Sequence, residues 1–229
     1  MRPLRVRTIL TWWALDYVAA VRWQVGPLLR HHDPADYLDG RPGMRPVVVL
    51  PGIWETWRFL LPLIERLHAA GHPVHAVTAL RTNGATVDAS ADVVASYLAD
   101  HDLEDVLIVA HSKGGLIGKD VMLEHAAGGR VRKMFAISTP FSGSVYAKYL
   151  PLPSLHAFSP KDPTTLRLAA ERRVNDRITS VWARFDPHIP GGSRLPGAAL
   201  NRRIDDGGHF RILRNPTVLA ALDRFAATP

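Results

Sequence analysis

Apolar residues along the chain fall into short continuous runs that alternate with stretches of helical spacing. Val47-Val48-Val49-Leu50 is the first run and Val74 to Leu80 the second. Val106-Leu107-Ile108-Val109 forms the centre of a third, within Asp105 to Ala110. Val131 to Ser138 and Ile178 to Phe185 follow, with a shorter extended stretch at Leu200–Ile204. Unbroken apolar runs of this kind mark strands buried on both faces. Between them, residues 56–70 have helical spacing and end at Gly71, and residues 86–100 put Val87, Val94 and Leu98 on one side. Helices are also predicted from about Gly115 to Ala127 and over residues 216–226. Strands alternating with helices through short connections predict an α/β fold: a doubly wound, mostly parallel sheet covered on both faces.

The first 25 residues have a different texture. Arg2, Arg5 and Arg7 precede a segment from Ile9 to Val25 that holds Trp12, Trp13, Tyr17 and Trp23. Asp16 interrupts its apolar centre and no small-residue cleavage motif follows, so the segment reads as an uncleaved helix rather than a secretory signal. Thr8, Thr11 and Arg22 make a narrow polar face. Two readings stand. The helix packs its wide apolar face onto its own domain, or it makes a peripheral membrane contact through residues 1–25 with basic and aromatic anchors. The expected location is cytoplasmic, with membrane association under the second reading. Residues 31–46 read as a linker, because His31-His32-Asp33-Pro34 and Asp39-Gly40-Arg41-Pro42-Gly43 are turn chemistry. Adjacent histidines in such a stretch are read as solvated rather than as metal ligands. The chain thus divides into an N-terminal helix and linker, 1–45, and a main domain, 46–229.

Composition narrows the chemistry. The chain has 229 residues and no cysteine, which excludes disulfides, thiolate metal sites and a cysteine nucleophile. Basic residues outnumber acidic ones by 28 to 21, but they are scattered, without the aromatic-interleaved stripe of a nucleic-acid reader. No nucleic-acid partner is expected. No apolar run approaches the length of a transmembrane helix.

The strand Val106–Val109 runs into Ala110-His111-Ser112-Lys113-Gly114-Gly115, where a helix begins at once. A serine at the apex of a strand–turn–helix junction projects into the space above the strand ends, where a neighbouring base can activate it. The tight turn excludes bulky side chains two positions before and after, and Ala110 and Gly114 meet that requirement. Ser112 is the expected nucleophile. The helix start aims its amides at the reacting atoms, so the Lys113 amide is a candidate oxyanion donor, with its side chain read as solvated. The second donor is expected in Pro51-Gly52-Ile53-Trp54-Glu55, at the Ile53 amide. Trp54 and Trp57 are placed near the mouth of the same cleft, to line it or to pack.

A base and an orienting acid follow in chain order. Asp186 lies in Phe185-Asp186-Pro187-His188-Ile189-Pro190, after a late strand. His209 lies in Asp206-Gly207-Gly208-His209-Phe210, before the last helix. His209 would take the serine proton and Asp186 would hold the imidazole in the right tautomer. His188 reads as a rim residue, the His111 side chain as pointing into the structure, and Asp205, Asp206 and Asp162 as alternative acids.

On the segments VVVLPGIWE, LIVAHSKGG, ARFDPHIP and DDGGHF, the chain resembles the α/β-hydrolase superfamily and, within it, the small bacterial lipases and esterases. The Ala-His-Ser-x-Gly-Gly turn is similar to that of compact Bacillus-type lipases. Pro51 departs from the pattern, standing where such proteins usually carry histidine. The resemblance implies ester hydrolysis, with Ser112, Asp186 and His209 as the triad, Ile53 and Lys113 at the oxyanion, and no metal or other cofactor. Residues 140–165 form an insertion between the fourth and fifth strands. It holds Tyr146, Tyr149, Leu150, Leu152, Leu155 and Phe158, and is read as a small lid over an acyl cleft or as a packed excursion. Trp54 and Tyr146 are the candidate substrate contacts, and the expected substrate is an ester or lipid with an apolar acyl group. Acyl transfer and thioester hydrolysis use the same residues. A catalytically silent, membrane-associated binding protein is the reading from another class.

Overall fold

The computed structural model describes residues 4–26, 32–124, 129–147 and 158–228. Six parallel strands form one sheet: β1 (Val47–Leu50), β2 (Val74–Ala76), β3 (Val106–His111), β4 (Val131–Ile137), β5 (Ile178–Phe185) and β6 (Leu200–Gly207). Their spatial order is β2-β1-β3-β4-β5-β6. The described helices are α1 (Val6–Val25), α2 (Leu61–Ala69), α3 (Val87–Asp100), α4 (Lys113–Glu124), α5 (Pro163–Ala170) and α6 (Pro216–Ala227).

The continuous apolar runs are explained by burial on both sides. Val47, Val49, Leu107, Val109, Phe135 and Ile137 face one layer, which includes Trp23 of α1, Leu63 and Ile64 of α2, and Leu222 and Phe225 of α6. Val48, Leu50, Ile108, Ala110, Met134 and Ala136 face the other, with Val94 and Leu98 of α3, Leu116 and Ile117 of α4, and Leu168 of α5. Successive side chains on a strand point to opposite faces, so a strand between two layers must be apolar at every position.

Several boundaries differ from the sequence reading. The second strand stops at Ala76 because its neighbour offers register partners only for Val74 to Ala76; Thr78–Leu80 then forms a 3-10 turn. The helix expected over 56–70 is a 3-10 turn at Trp57–Leu60 followed by α2. Pro62, which lacks an N–H, sits in the first turn of α2, where that donor is not needed. The last strand runs on to Gly207, paired with Phe185 of β5. In the linker, Asp33 caps a 3-10 turn at Pro34–Tyr37, His32 pairs with the Tyr37 hydroxyl, and His31 lies outside the described residues.

The N-terminal helix α1 packs its inner face on the body of the protein. Trp23 is buried against Phe59, Trp12 stacks near Phe185, and Asp16 is fully buried. Its outer face is exposed.

Candidate active site

The carboxyl ends of β1, β3, β5 and β6 deliver their loops to one edge of the sheet, where parallel α/β sheets build their clefts. Ser112 sits between β3 and α4 with φ +50°, in the left-handed region that a non-glycine residue adopts at a cost. The turn closes because residue 114 is glycine. A Cβ at Gly114 would lie 2.2 Å from the Leu50 carbonyl oxygen.

Ser112, His209 and Asp186 form a hydrogen-bonded chain. Ser112 Oγ lies 3.0 Å from His209 Nε2, and His209 Nδ1 lies 2.8 Å from Asp186 Oδ2. The carboxylate can only accept, so Nδ1 carries the hydrogen and Nε2 is the free base facing the serine. The other Asp186 oxygen accepts the His188 and Ile189 amides at 2.8 and 3.0 Å. Burial alone would push the Asp186 carboxyl up. The charge and hydrogen bond of His209 and the bond from the His188 amide outweigh it and hold the carboxyl down at about 2. Burial likewise disfavours charged His209, but Asp186, Asp16 and Glu55 together raise its pKa above the ordinary value. His188, whose ring centroid is 4.7 Å from that of His209, is pushed down to about 3 by burial and by the neighbouring His209. It is therefore neutral at physiological pH, and it meets the Tyr17 hydroxyl at 3.3 Å.

The alternative acids are occupied elsewhere. Asp162 caps α5, Asp205 pairs with Arg184 on the surface, and Asp206 accepts from Arg211 and Asn215. As first residue of α4, Lys113 has an N–H with no intrahelical acceptor. Among the described residues, neither it nor the Ile53 amide donates to a backbone carbonyl. The Lys113 side chain is not solvated as expected. It is buried, and its ammonium donates to Asn83 O at 2.8 Å, Asn83 Oδ1 at 3.2 Å, and Ala85 O. Burial lowers its pKa to about 8. Three acceptors at one place make burial of this lysine tolerable.

Ser112 opens into a cleft of about 400 Å³, walled by Ile53, Trp54, Tyr146, Phe158, His188 and Tyr17. Trp54 and Tyr146 are partly exposed at its mouth, whereas Trp57 is buried in the core against Tyr37. A cavity of about 470 Å³ at the end of α1, with Arg22, Arg58 and Arg214 in its wall, contains none of the three residues. Of the insertion, Phe141, Ala147 and Phe158 pack into the core, and Ser144 Oγ donates to the His188 carbonyl at 2.5 Å. Residues 148–157, with Tyr149, Leu150, Leu152 and Leu155, lie outside the described residues.

No family model matches the chain. No curated protein matches it either. Solved structures do. An extracellular α/β-hydrolase from a Paenibacillus species superposes with a TM-score of 0.55 at 18% identity, over 81% of this chain and all of the other. This chain has the α/β-hydrolase fold. The α/β-hydrolase fold is shared with a monoacylglycerol lipase of Paleococcus ferrophilus, at TM-score 0.61 and 16% identity over 81% of this chain and 96% of that one. The type II thioesterase BorB from the borrelidin biosynthetic cluster has it too, at 0.61 and 16% over 87% and 99%. At such identities the likeness establishes architecture, and chemistry must be argued from the site.

Two buried carboxylates beside this site were not singled out from the sequence. Glu55 Oε2 accepts the Gly52 amide at 2.6 Å and lies 2.9 Å from His111 Nδ1. His111 Nε2 in turn donates to the His209 carbonyl at 3.0 Å. Asp16 of α1 accepts the amides of His209, Phe210 and Arg211 at 2.8, 2.8 and 2.9 Å. The signal for Asp16 was a lone carboxylate inside an apolar helix, which must find donors if it is buried. The signal for its partner was Gly207-Gly208. Gly208 has φ +123°, and a Cβ there would lie 2.5 Å from Asp16 Oδ1.

Proposed function

We propose that this protein is a serine hydrolase of carboxylic esters with apolar acyl groups, a lipase or esterase. Ser112 Oγ attacks the ester carbonyl as its proton passes to His209 Nε2. Asp186 stabilises the resulting imidazolium through Nδ1–H. The carbonyl oxygen becomes an oxyanion received by the Ile53 and Lys113 amides. Collapse expels the alcohol, which takes the proton from His209, and leaves the acyl group on Ser112. Water then enters, gives a proton to His209 and attacks the acyl carbon. Ser112 leaves and recovers its proton. These steps call for no cofactor. Trp54 and Tyr146 act as walls for the acyl chain.

The observation that carries this reading is the continuous Ser112–His209–Asp186 hydrogen-bond chain at the floor of a largely apolar cleft. The test is hydrolysis of p-nitrophenyl esters of increasing acyl length by wild type and Ser112→Ala. The variant should lose at least about 10⁴-fold in kcat. Equal rates would reject the assignment. A wild-type serine inert to a fluorophosphonate probe would point to a silent binding protein instead.

A further inference from the structure

We propose that the outer face of α1 seats the protein on anionic phospholipid surfaces, with the mouth of the Ser112 cleft at the edge of the contact. This deepens the proposed function by naming where the apolar ester is drawn from, but vesicle binding itself does not depend on catalysis.

The inner face of α1 is satisfied by the protein, through Trp12, Asp16 and Trp23. The outer face is not. Val6, Leu10, Val18 and Val21 are 70, 59, 64 and 63% exposed, and Leu15, Trp13 and Tyr17 are also open. Most of the large apolar side chains exposed among the described residues lie on this one helix. A contiguous apolar surface of this kind is costly in water and marks a contact.

Charge selects the occupant. The only carboxylate of α1, Asp16, is buried beneath it, so the outer surface carries Arg5, Arg7 and Arg22 without an acid among them. Apolar and aromatic side chains beside arginines fit the interface of an anionic bilayer. The helix lies on the surface rather than crossing, since among the described residues no helix is long and apolar enough to span a membrane.

The face is also continuous with the cleft. Tyr17 lines the cleft itself, Trp13 shares an adjoining depression with Tyr146, and Gln24 Nε2 donates to the Trp54 carbonyl at 3.2 Å. An acyl chain leaving the lipid beside α1 would meet the cleft without crossing bulk water.

The experiment is flotation of the full chain with phosphatidylcholine vesicles and with vesicles that also contain phosphatidylglycerol. Wild type should float with the second kind, less so as salt screens the arginines. Leu10→Glu and Val18→Glu, which touch nothing in the cleft, should each lower partition by about ten-fold or more, as expected for one apolar side chain withdrawn from lipid. Their hydrolysis of a water-soluble short-chain ester should match wild type, while hydrolysis of a vesicle-borne ester falls with binding. Wild type that floats with neither vesicle overturns the proposal, as do glutamate variants that float like wild type. A dimer dissociated by the same substitutions, with no flotation, identifies the face as a self-interface and also overturns it. Flotation by a protein inert toward every ester leaves this proposal standing and removes the catalytic one.

Discussion

The carboxylate of Asp16 lies directly beneath the backbone of His209, accepting its amide at 2.8 Å across 193 residues of sequence. The same carboxylate takes the next two amides and helps raise the His209 pKa. A helix that precedes the sheet in sequence thus holds the loop of the proposed base, and Asp16 is a positioning residue. Asp16→Ala leaves three amides, that of His209 buried and those of Phe210 and Arg211 half-buried, without an acceptor and should destabilise the fold by about 1–3 kcal/mol, read by thermal unfolding. Asp16→Asn keeps the volume and removes the charge. It should move the acid limb of the kcat/KM profile to lower pH and reduce kcat more than it changes KM. An unmoved limb with only a lower Tm would assign Asp16 a purely structural part.

His209 must be neutral to accept the serine proton. Because its pKa is raised, the acid limb of activity should lie above the ordinary histidine value of about 6.5. The linkage signs of the pair are opposite. The raised His209 contributes stability that is complete below about 6.5 and lost as pH rises through its folded pKa. The depressed Asp186 contributes stability that is complete above about 3.9 and lost as pH falls toward about 2. Denaturant unfolding across the acid range checks the second. Asp186→Asn should cost about 10⁴-fold in kcat, because the amide no longer holds the tautomer that leaves Nε2 free.

Glu55 ties the loop that carries Gly52 and Ile53 to the carbonyl of His209 by way of His111. Glu55→Ala should release the Gly52 amide and blur the position of the neighbouring Ile53 donor. Losing one oxyanion donor costs about 10²–10³-fold in kcat, which sets the upper bound for this variant. Single-turnover kinetics with a chromogenic ester separates that loss from a change in binding.

For Lys113, the backbone amide and the side chain do different things. The amide is the proposed oxyanion donor, while the ammonium binds carbonyls of the 83–85 segment. Lys113→Ala should therefore lower stability by about 1–3 kcal/mol and leave kcat of the folded protein close to wild type. A large loss of kcat at unchanged stability would show that the side chain takes part in the reaction.

Residues near in sequence made much of this legible. The run Val47–Leu50 reads as a doubly buried strand because every side chain of a strand between two helical layers must leave water. Ala110 and Gly114 announce the turn at Ser112 because a backbone bent that sharply has no room for a bulky side chain on either side. Chain order then puts Asp186 and His209 at the same edge of the sheet, once the strands are known to be parallel. Strand ends were less legible: where Val74–Ala76 stops depends on how many partners β1 offers.

By itself, then, the sequence determined the alternation of layers and the strained serine turn, since each follows from sterics and burial over a few residues, while the proposed roles of Ser112, Asp186 and His209 came from chain order and the resemblance. Only the tertiary structure decided that Asp16 and Glu55 serve His209, that the lysine beside the serine is buried, and that Trp57 packs while Trp54 lines the cleft. Those outcomes depend on which amides and carbonyls meet across the fold, and buried polar groups choose partners by proximity in space, which local pattern does not encode.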